Sequence, residues 1–248
     1  MKLLSKTLIA ACLFPLPLLA QVGLYDDVDS YIEHCEDTCR HIHGIDISHY
    51  QGEVFWDAIG DNRRIAYVYL KATEGGDRID QRYADNIYWA HQNGLMVGSY
   101  HFFRPRTPLQ LQLKNFTTQC RPEDQDLIPL IDVETLGRLQ PDAFLDSLLT
   151  FLTMVEDYYQ QKPLVYSGRK FYNNYLAGFI DDYPLMIAQY TEEPPVLVDN
   201  RDYIIWQYTG HGSINGVRGE VDKSRMMGQH RLRELWYRRK EASQEKAD

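Results

Sequence analysis

The 248-residue chain has no G-x-G-x-x-G after a strand-like run, no Walker-type phosphate loop and no H-E-x-x-H. Dinucleotide chemistry, P-loop nucleotide hydrolysis and zincin-type proteolysis therefore lack their usual backbone or ligand frames. Basic residues are outnumbered, 26 Lys and Arg against 35 Asp and Glu, for a formal net charge of -9. Clustered Lys and Arg carry the affinity for a phosphate backbone, so nucleic acid is excluded as a partner class. No apolar run can span a bilayer: the longest, Thr7 to Ala20, is too short and is broken by Pro15 and Pro17. Cysteine is scarce, four residues in all.

That apolar run follows Lys2 and Lys6 and ends on small Ala20, so residues 1–20 read as a secretory signal peptide and the mature protein is expected outside the cytoplasm. Ile9-Ala10-Ala11-Cys12 also resembles a lipoprotein box, which would acylate Cys12, but the apolar stretch before it is short and this reading ranks second. Removal of the signal leaves Cys35, Cys39 and Cys120, an odd number that allows one disulfide and one thiol. Cys35-x3-Cys39 with His34, His41 and His43 nearby matches no strong zinc spacing. Neither a metal nor a cofactor is expected.

What is present is an alternation of strands and helices. Residues 21–42 are a polar leader, 43–228 a single folded domain and 229–248 a charged tail whose Arg231 to Lys240 reads as a solvated basic helix end. Strands are expected over His43 to Ser48, Ile65 to Thr73, Met96 to Phe103, Leu127 to Glu134 and Pro163 to Gly168, from β-branched and aromatic enrichment between turn residues. Helices are expected over Phe55 to Asn62, Tyr83 to Gln92, Pro108 to Cys120, from Pro141 onward, and around Phe171 to Leu176. In the fourth helix Phe144, Leu145, Leu148, Leu149, Leu152 and Val155 recur with helical period. Three more strands follow with little helix: Pro184 to Tyr190, Tyr203 to Thr209, and a short one ending at Asp222. This order predicts an α/β fold, an irregular TIM-like (β/α)5(β)3 barrel in a single domain.

The chemistry centres on Leu127 to Glu134, LIPLIDVE, an apolar run ending in two acids. Side chains in a strand alternate, so Asp132 and Glu134 share a face. Crowded acids at the mouth of an apolar strand repel and lose solvent, which raises at least one pKa toward that of a general acid. Barrel active sites lie at the C-terminal edge of the strands. Asp46, Glu74, Asp132, Glu134 and Asp222 all fall at strand ends, and closure should bring Asp46 beside Asp222. Tyr100, Tyr166, Tyr190 and Trp206 at the same edge are candidates to pack on sugar rings. Barrel-core packing competes with that reading for each of them. His101 should point away from Tyr100 and serve the core.

Eight spaced motifs, HGIDISHYQGEVFWDAI, YLKATEG, GSYHFFRP, LIDVE, VYSG, IAQY, IIWQYT and VDKS, occur in the order found in the glycoside hydrolase family 25 lysozymes. The chain resembles that family from His43 to Met226. The resemblance implies the same irregular barrel, an N-acetylmuramidase acting on peptidoglycan glycan strands, and four pocket carboxylates at Asp46, Asp132, Glu134 and Asp222. It further implies retention of configuration, with the substrate's N-acetyl group or Asp132 as nucleophile. Within that frame Glu134 is expected to be the general acid, Asp132 to remain ionised, and Glu74 to contact substrate. Met186 and Lys223-Ser224 depart from the family's pattern at an aromatic and an apolar-Asn position, which bears on sugar subsites. The enzyme is expected to work as a monomer. A catalytically silent wall-binding barrel, or cleavage of a chitin-like or glucosaminidase bond, are the alternatives.

Overall fold

A computed structural model describes residues 42–238. Its strands are β1 (His43–Ile47), β2 (Ile65–Glu74), β3 (Arg78–Ile79), β4 (Met96–Phe102), β5 (Leu130–Asp132), β6 (Leu164–Gly168), β7 (Leu185–Ala188), β8 (Ile205–Gly212) and β9 (Val221–Met226). Helices α1 (Trp56–Gly60), α2 (Tyr83–Gln92), α3 (Leu109–Gln119), α4 (Pro141–Tyr159) and α5 (Arg169–Tyr175) follow β1, the β2–β3 hairpin, β4, β5 and β6. Pairing runs β1-β9-β8-β7-β6-β5-β4-β2, and β1 also pairs with β2, so these strands close into a barrel. The short β3 is an antiparallel arm of β2 outside the circle. The (β/α)5(β)3 order expected from sequence is the order found.

From β1 through β2, β4, β5, β6 and β7 to β8 every pairing is parallel, whereas β9 lies antiparallel to both β8 and β1. A parallel return needs a long crossover, and the short loop between β8 and β9 permits only reversal. One expectation is corrected by this. The last strand does not end at Asp222 but starts at Val221. Asp222 reaches the catalytic rim because the strand that carries it runs the other way, and it pairs with Asp46 across β1 and β9.

The strand predicted over Leu127 to Glu134 is also shorter, Leu130–Asp132. Pro129 has no N–H to give a ladder. Leu127 and Ile128 lie below the barrel instead, bonded to the C-terminal segment through the Leu127–Trp236 bridge and a 2.7 Å bond from Ile128 N–H to the Leu235 carbonyl. Residues 229–238 are therefore not a solvated helix end. A 3-10 turn over Leu232–Leu235 buries both leucines against Ile42, Met96, Leu127 and Ile128. The apolar bottom of a barrel needs a cover, and the leucines interleaved among the tail's charges supply it.

Alternation along each strand divides the core in two. Tyr67, Tyr69, Met96, Leu130, Leu164, Met186 and Ile205 fill the barrel, while Val68, Leu70, Val97, Ile131, Val165 and Ile187 face the helices. Tyr67 and Tyr69 occupy so much of the interior that their neighbours must be glycine. A Cβ on Gly44 would lie 2.1 Å from the Tyr67 ring, and one on Gly98 2.3 Å from the Tyr69 ring. On α4 the predicted stripe is buried except Leu149, and Phe151 joins it. Burial of each such side chain contributes roughly 2 kcal/mol.

Cys120 is a free thiol buried beneath α3. The expected signal peptide, Cys12, most of the expected leader, His34, Cys35, Cys39 and His41 lie outside the described residues. Among the described residues no helix is long and apolar enough to cross a membrane.

Candidate active site

The upper ends of the parallel strands surround a cavity of about 190 Å³, whose wall includes Asp46, Asp132, Glu134 and Asp222. Asp46 is the last residue but one of β1, and Asp132 ends β5. Beyond Asp132 the backbone stays extended for a further step, with Val133 N–H bonded to the Tyr166 carbonyl and Val133 buried on the helix side. The alternation thus returns Glu134 to the face of Asp132. Phe102, Asp132, Tyr166 and Met186 are lateral neighbours in register on β4, β5, β6 and β7, which is why all four look into the cavity.

Each carboxyl has lost part of its hydration. Burial pushes Asp46 up to about 8, Asp222 adds to the effect, and a 2.7 Å bond from Gln207 Nε2 only partly offsets it. Burial and then the Glu134 charge push Asp222 up to about 6. Asp132 is raised well above the usual carboxylate range, first by burial and then by Glu134. Glu134, exposed at the rim, has its carboxyl turned onto Asp132 and is raised by desolvation. These two carboxyls are close enough to share a proton, while the nearby Lys71 charge draws both back toward ionisation. Asp46 Oδ1 and Asp132 Oδ1 are buried with no hydrogen-bond partner. Such atoms favour a protonated acid or an incoming hydroxyl.

Three of the four nominated aromatic residues face this region. Tyr100 and Tyr166 line the cavity, and burial followed by the Asp132 charge keeps both phenols protonated far above their ordinary range. Tyr166 also borders a larger groove of about 700 Å³ together with Glu134, Phe171, Tyr175 and Tyr190. The phenols of Tyr166 and Tyr190 each donate to Gln207 Oε1 at 2.9 Å. Trp206 does not belong to this set. Its ring packs in the outer layer under Arg225, its Nε1–H donates to the Gln189 carbonyl, and it touches neither the cavity nor the groove. The phase of β8 sends Ile205 and Gln207 inward, so Trp206 must point out.

Glu74 departs from its expected part as well. The register of β2 against β4 slips between Lys71 and Thr73, which leaves Thr73 facing the helices and sets Glu74 at the rim beside Phe102. There it accepts from Lys71 at 2.9 Å, Arg78 at 2.7 Å and Arg104 at 2.6 Å. Burial opposes its charge, yet the hydrogen bonds from Lys71 and Arg104 outweigh that and hold it at about 2. It borders a neighbouring basic pocket rather than the carboxyl cavity. His101 is buried between Phe116 and Phe151, bonded to Thr73 and Gln112, and desolvation pushes it down to about 4. It serves the core.

Lys71, Tyr50, Phe102 and Gln207 line the cavity without having been singled out. Period two from Tyr67 and Tyr69 would have found Lys71, and from Tyr100 would have found Phe102. A glutamine inside IIWQYT is a polar group in an apolar strand that must meet partners, which Gln207 does on three sides. Tyr50, 80% exposed, packs at a tilt against His49 with ring centroids 4.1 Å apart, in the 3-10 turn over His49–Gln51. Of the departures from pattern, Met186 lies in the cavity wall, Ser224 bonds the Tyr67 phenol inside the barrel, and Lys223 lines a separate pocket on the outside.

A parallel-strand barrel with paired acids at the strand ends, opening on a groove of tyrosines, defines a glycan-cleaving hydrolase. Residues 45–217 match the model of Glycosyl hydrolases family 25. The chain belongs to this family, glycoside hydrolases of the lysozyme class. It is 33% identical over 183 residues to the autolytic lysozyme of Clostridium acetobutylicum, covering 72% of this chain and 54% of that protein. It is 32% identical over 185 residues to the uncharacterized protein YegX of Escherichia coli K12, covering 73% and 68% respectively. Among solved structures, a family 25 glycosyl hydrolase from Bacillus anthracis superposes with TM-score 0.71 at 26% identity, covering 77% of this chain and 92% of that one. A bacterial lysozyme from Streptomyces coelicolor gives TM-score 0.69 at 25% identity, with 77% and 94% covered.

Proposed function

We propose that the protein is an exported muramidase that hydrolyses the β-1,4 bond between N-acetylmuramic acid and N-acetylglucosamine in peptidoglycan, with retention of configuration. The observation that carries this reading is the position of Glu134. It stands beside Asp132 in the wall of the carboxyl cavity and also borders the tyrosine-walled groove, with burial raising both acids. A sugar chain lying in that groove would exclude water from Glu134 and raise its pKa further, leaving it protonated as general acid toward the leaving oxygen.

Asp132 sits deeper, and the Lys71 charge favours its ionised form once Glu134 carries the proton. An enzyme nucleophile and its acid usually stand ~5 Å apart, and an inverting pair ~6.5 Å or more. Asp132 and Glu134 stand on one strand face and influence each other's protonation rather than flanking a sugar from opposite sides. We therefore take the substrate's own N-acetyl group as nucleophile, with Asp132 orienting it and stabilising the developing positive charge. Asp46, Gln207 and the phenols of Tyr166 and Tyr190 form one hydrogen-bonded wall suited to sugar hydroxyls and the acetamide. Export rests on the charged and apolar character of residues 1–20.

Glu134→Gln tests the assignment. Wild type is expected to release muropeptides with muramic acid reducing ends from purified peptidoglycan. The variant should fold with an unchanged melting profile and lose at least a hundredfold in rate, the usual scale of a positioned general acid. Full activity in the variant would refute the role of Glu134, and glucosamine reducing ends in the wild-type digest would refute the bond assigned.

A further inference from the structure

On the side of Glu134 away from the tyrosine groove, the loops after β2, β4 and β5 enclose a second cavity of about 350 Å³. Its walls are Glu74, Arg78, Arg104, Arg106, Thr107 and Thr135, over the bare backbone of the Gly75 and Gly137 turns. We propose that this cavity is an anion subsite for a carboxylate on the lactyl arm of muramic acid, either the lactyl carboxylate itself or one borne by the peptide attached there. The proposal rests on the muramidase reading above.

Charge carries the argument first. The Glu74 carboxylate faces Lys71, Arg78 and Arg104 at 2.6 to 2.9 Å, and one negative charge cannot neutralise three positive ones. Arg106, exposed on the same wall, has no ion-pair partner among the described residues. Asp77 at the edge leaves the lining with three guanidiniums against two carboxylates. Guanidiniums held in fixed orientation bind carboxylate through paired N–H donors, and Glu74 fixes Arg104 by accepting from both Nε and Nη2. Glu74 is thus a positioning residue.

Lining chemistry separates this cavity from the groove. No aromatic ring borders it, so it offers nothing for a sugar face to stack on, whereas Phe171, Tyr175 and Tyr190 border the groove. Two threonines and the glycine backbone of these turns are suited to amide and carboxylate groups on an extended arm. Gly75 and Gly137 both have φ of +56°, and a Cβ at either would press to 3.3 Å on Arg104 or Pro105. The cavity is also next to the chemistry. The Arg104 guanidinium lies 4.4 Å over the Phe102 ring, which lines the carboxyl cavity, and Thr135 directly follows Glu134. A branch leaving the sugar ring near the cleaved bond would reach it.

Kinetics with three soluble glycan substrates test this: chains bearing their peptides, chains stripped of peptide so that the lactyl carboxylate is free, and stripped chains with that carboxylate converted to a methyl amide. For Arg106→Gln, kcat/KM on a carboxylate-bearing substrate relative to the amide is expected to fall about fivefold through KM, the scale of one charge-assisted contact, with Arg106→Lys recovering part of it. A fall with peptide-bearing chains assigns the peptide carboxylate; a fall with stripped chains assigns the lactyl carboxylate. Unchanged ratios for both, in a variant with wild-type melting, overturn the subsite. Wild-type inactivity on all three substrates would instead overturn the muramidase reading.

Discussion

Asp46→Asn should make the folded protein more stable and the enzyme worse, by amounts that depend on pH. Asp46 is buried, its Oδ1 has no partner, and it holds its proton up to about pH 8 in the folded chain, against 3.8 when unfolded. Between those values the folded state binds a proton that the unfolded state has released, so stability must fall as pH rises through the window and level off above it. The slope for one such proton is ~1.4 kcal/mol per pH unit, which over the whole window amounts to roughly 6 kcal/mol. Asparagine is nearly isosteric, can still accept from Gln207 Nε2, and has no proton to lose. Urea unfolding of both proteins, followed by the fluorescence of buried Trp56 and Trp206, is the assay. From pH 5 to pH 7 the variant should gain about 2 to 3 kcal/mol over wild type, while glycan cleavage drops. The other titrating groups are common to both proteins and largely cancel in the difference. A stability difference independent of pH over this range would mean that Asp46 is ionised in the folded protein at neutrality, and the account of the cavity would fail.

Two further outcomes follow from packing. Gly98→Ala places a methyl 2.3 Å from the Tyr69 ring, which is fully buried and anchored by its phenol to the Ile128 carbonyl; a loss of about 3 kcal/mol or more, or failure to accumulate, is expected, and a thermal melt unchanged from wild type would contradict the filled interior. Leu235→Ala should cost roughly 2 to 5 kcal/mol by chemical denaturation, as for a fully buried leucine, and a loss below half a kcal/mol would show that the tail does not plug the barrel.

The barrel was legible because its signals are local. The helix over Tyr83–Gln92 was bounded by an Asn-Gly stop, and the α4 stripe by Pro141 and helical period. Whether a rim acid faces cavity or loop is set by strand phase, which an irregularity can change. Strict alternation from Tyr69 places Lys71 correctly, but the slip before Thr73 moves Glu74 into its cluster of cations, and no residue type announces that slip. Trp206 was misplaced for the opposite reason. Its aromatic chemistry suggested sugar, while the phase of Ile205 and Gln207 turned it to the outer layer beneath Arg225. The tail failed on composition, because four arginines in RLRELWYRRK conceal Leu232 and Leu235 that only the open barrel bottom makes necessary.

Strand direction explains why Asp222 was placed correctly from a wrong premise. In a wholly parallel barrel a residue at the start of a strand lies at the bottom, far from the chemistry. Here β9 is reversed, so its second residue stands level with the last acid of β1, and Asp46 and Asp222 become direct register partners. Burial first, and then the charge of Asp222 beside it, hold the Asp46 proton to about pH 8. An eighth strand running parallel would have put a basic and apolar segment, Lys223 to Met226, at that position instead. The reversal therefore supplies the fourth carboxyl of the cavity, and through it the unusual barrel topology adds to the weak acidity that burial already gives Asp46.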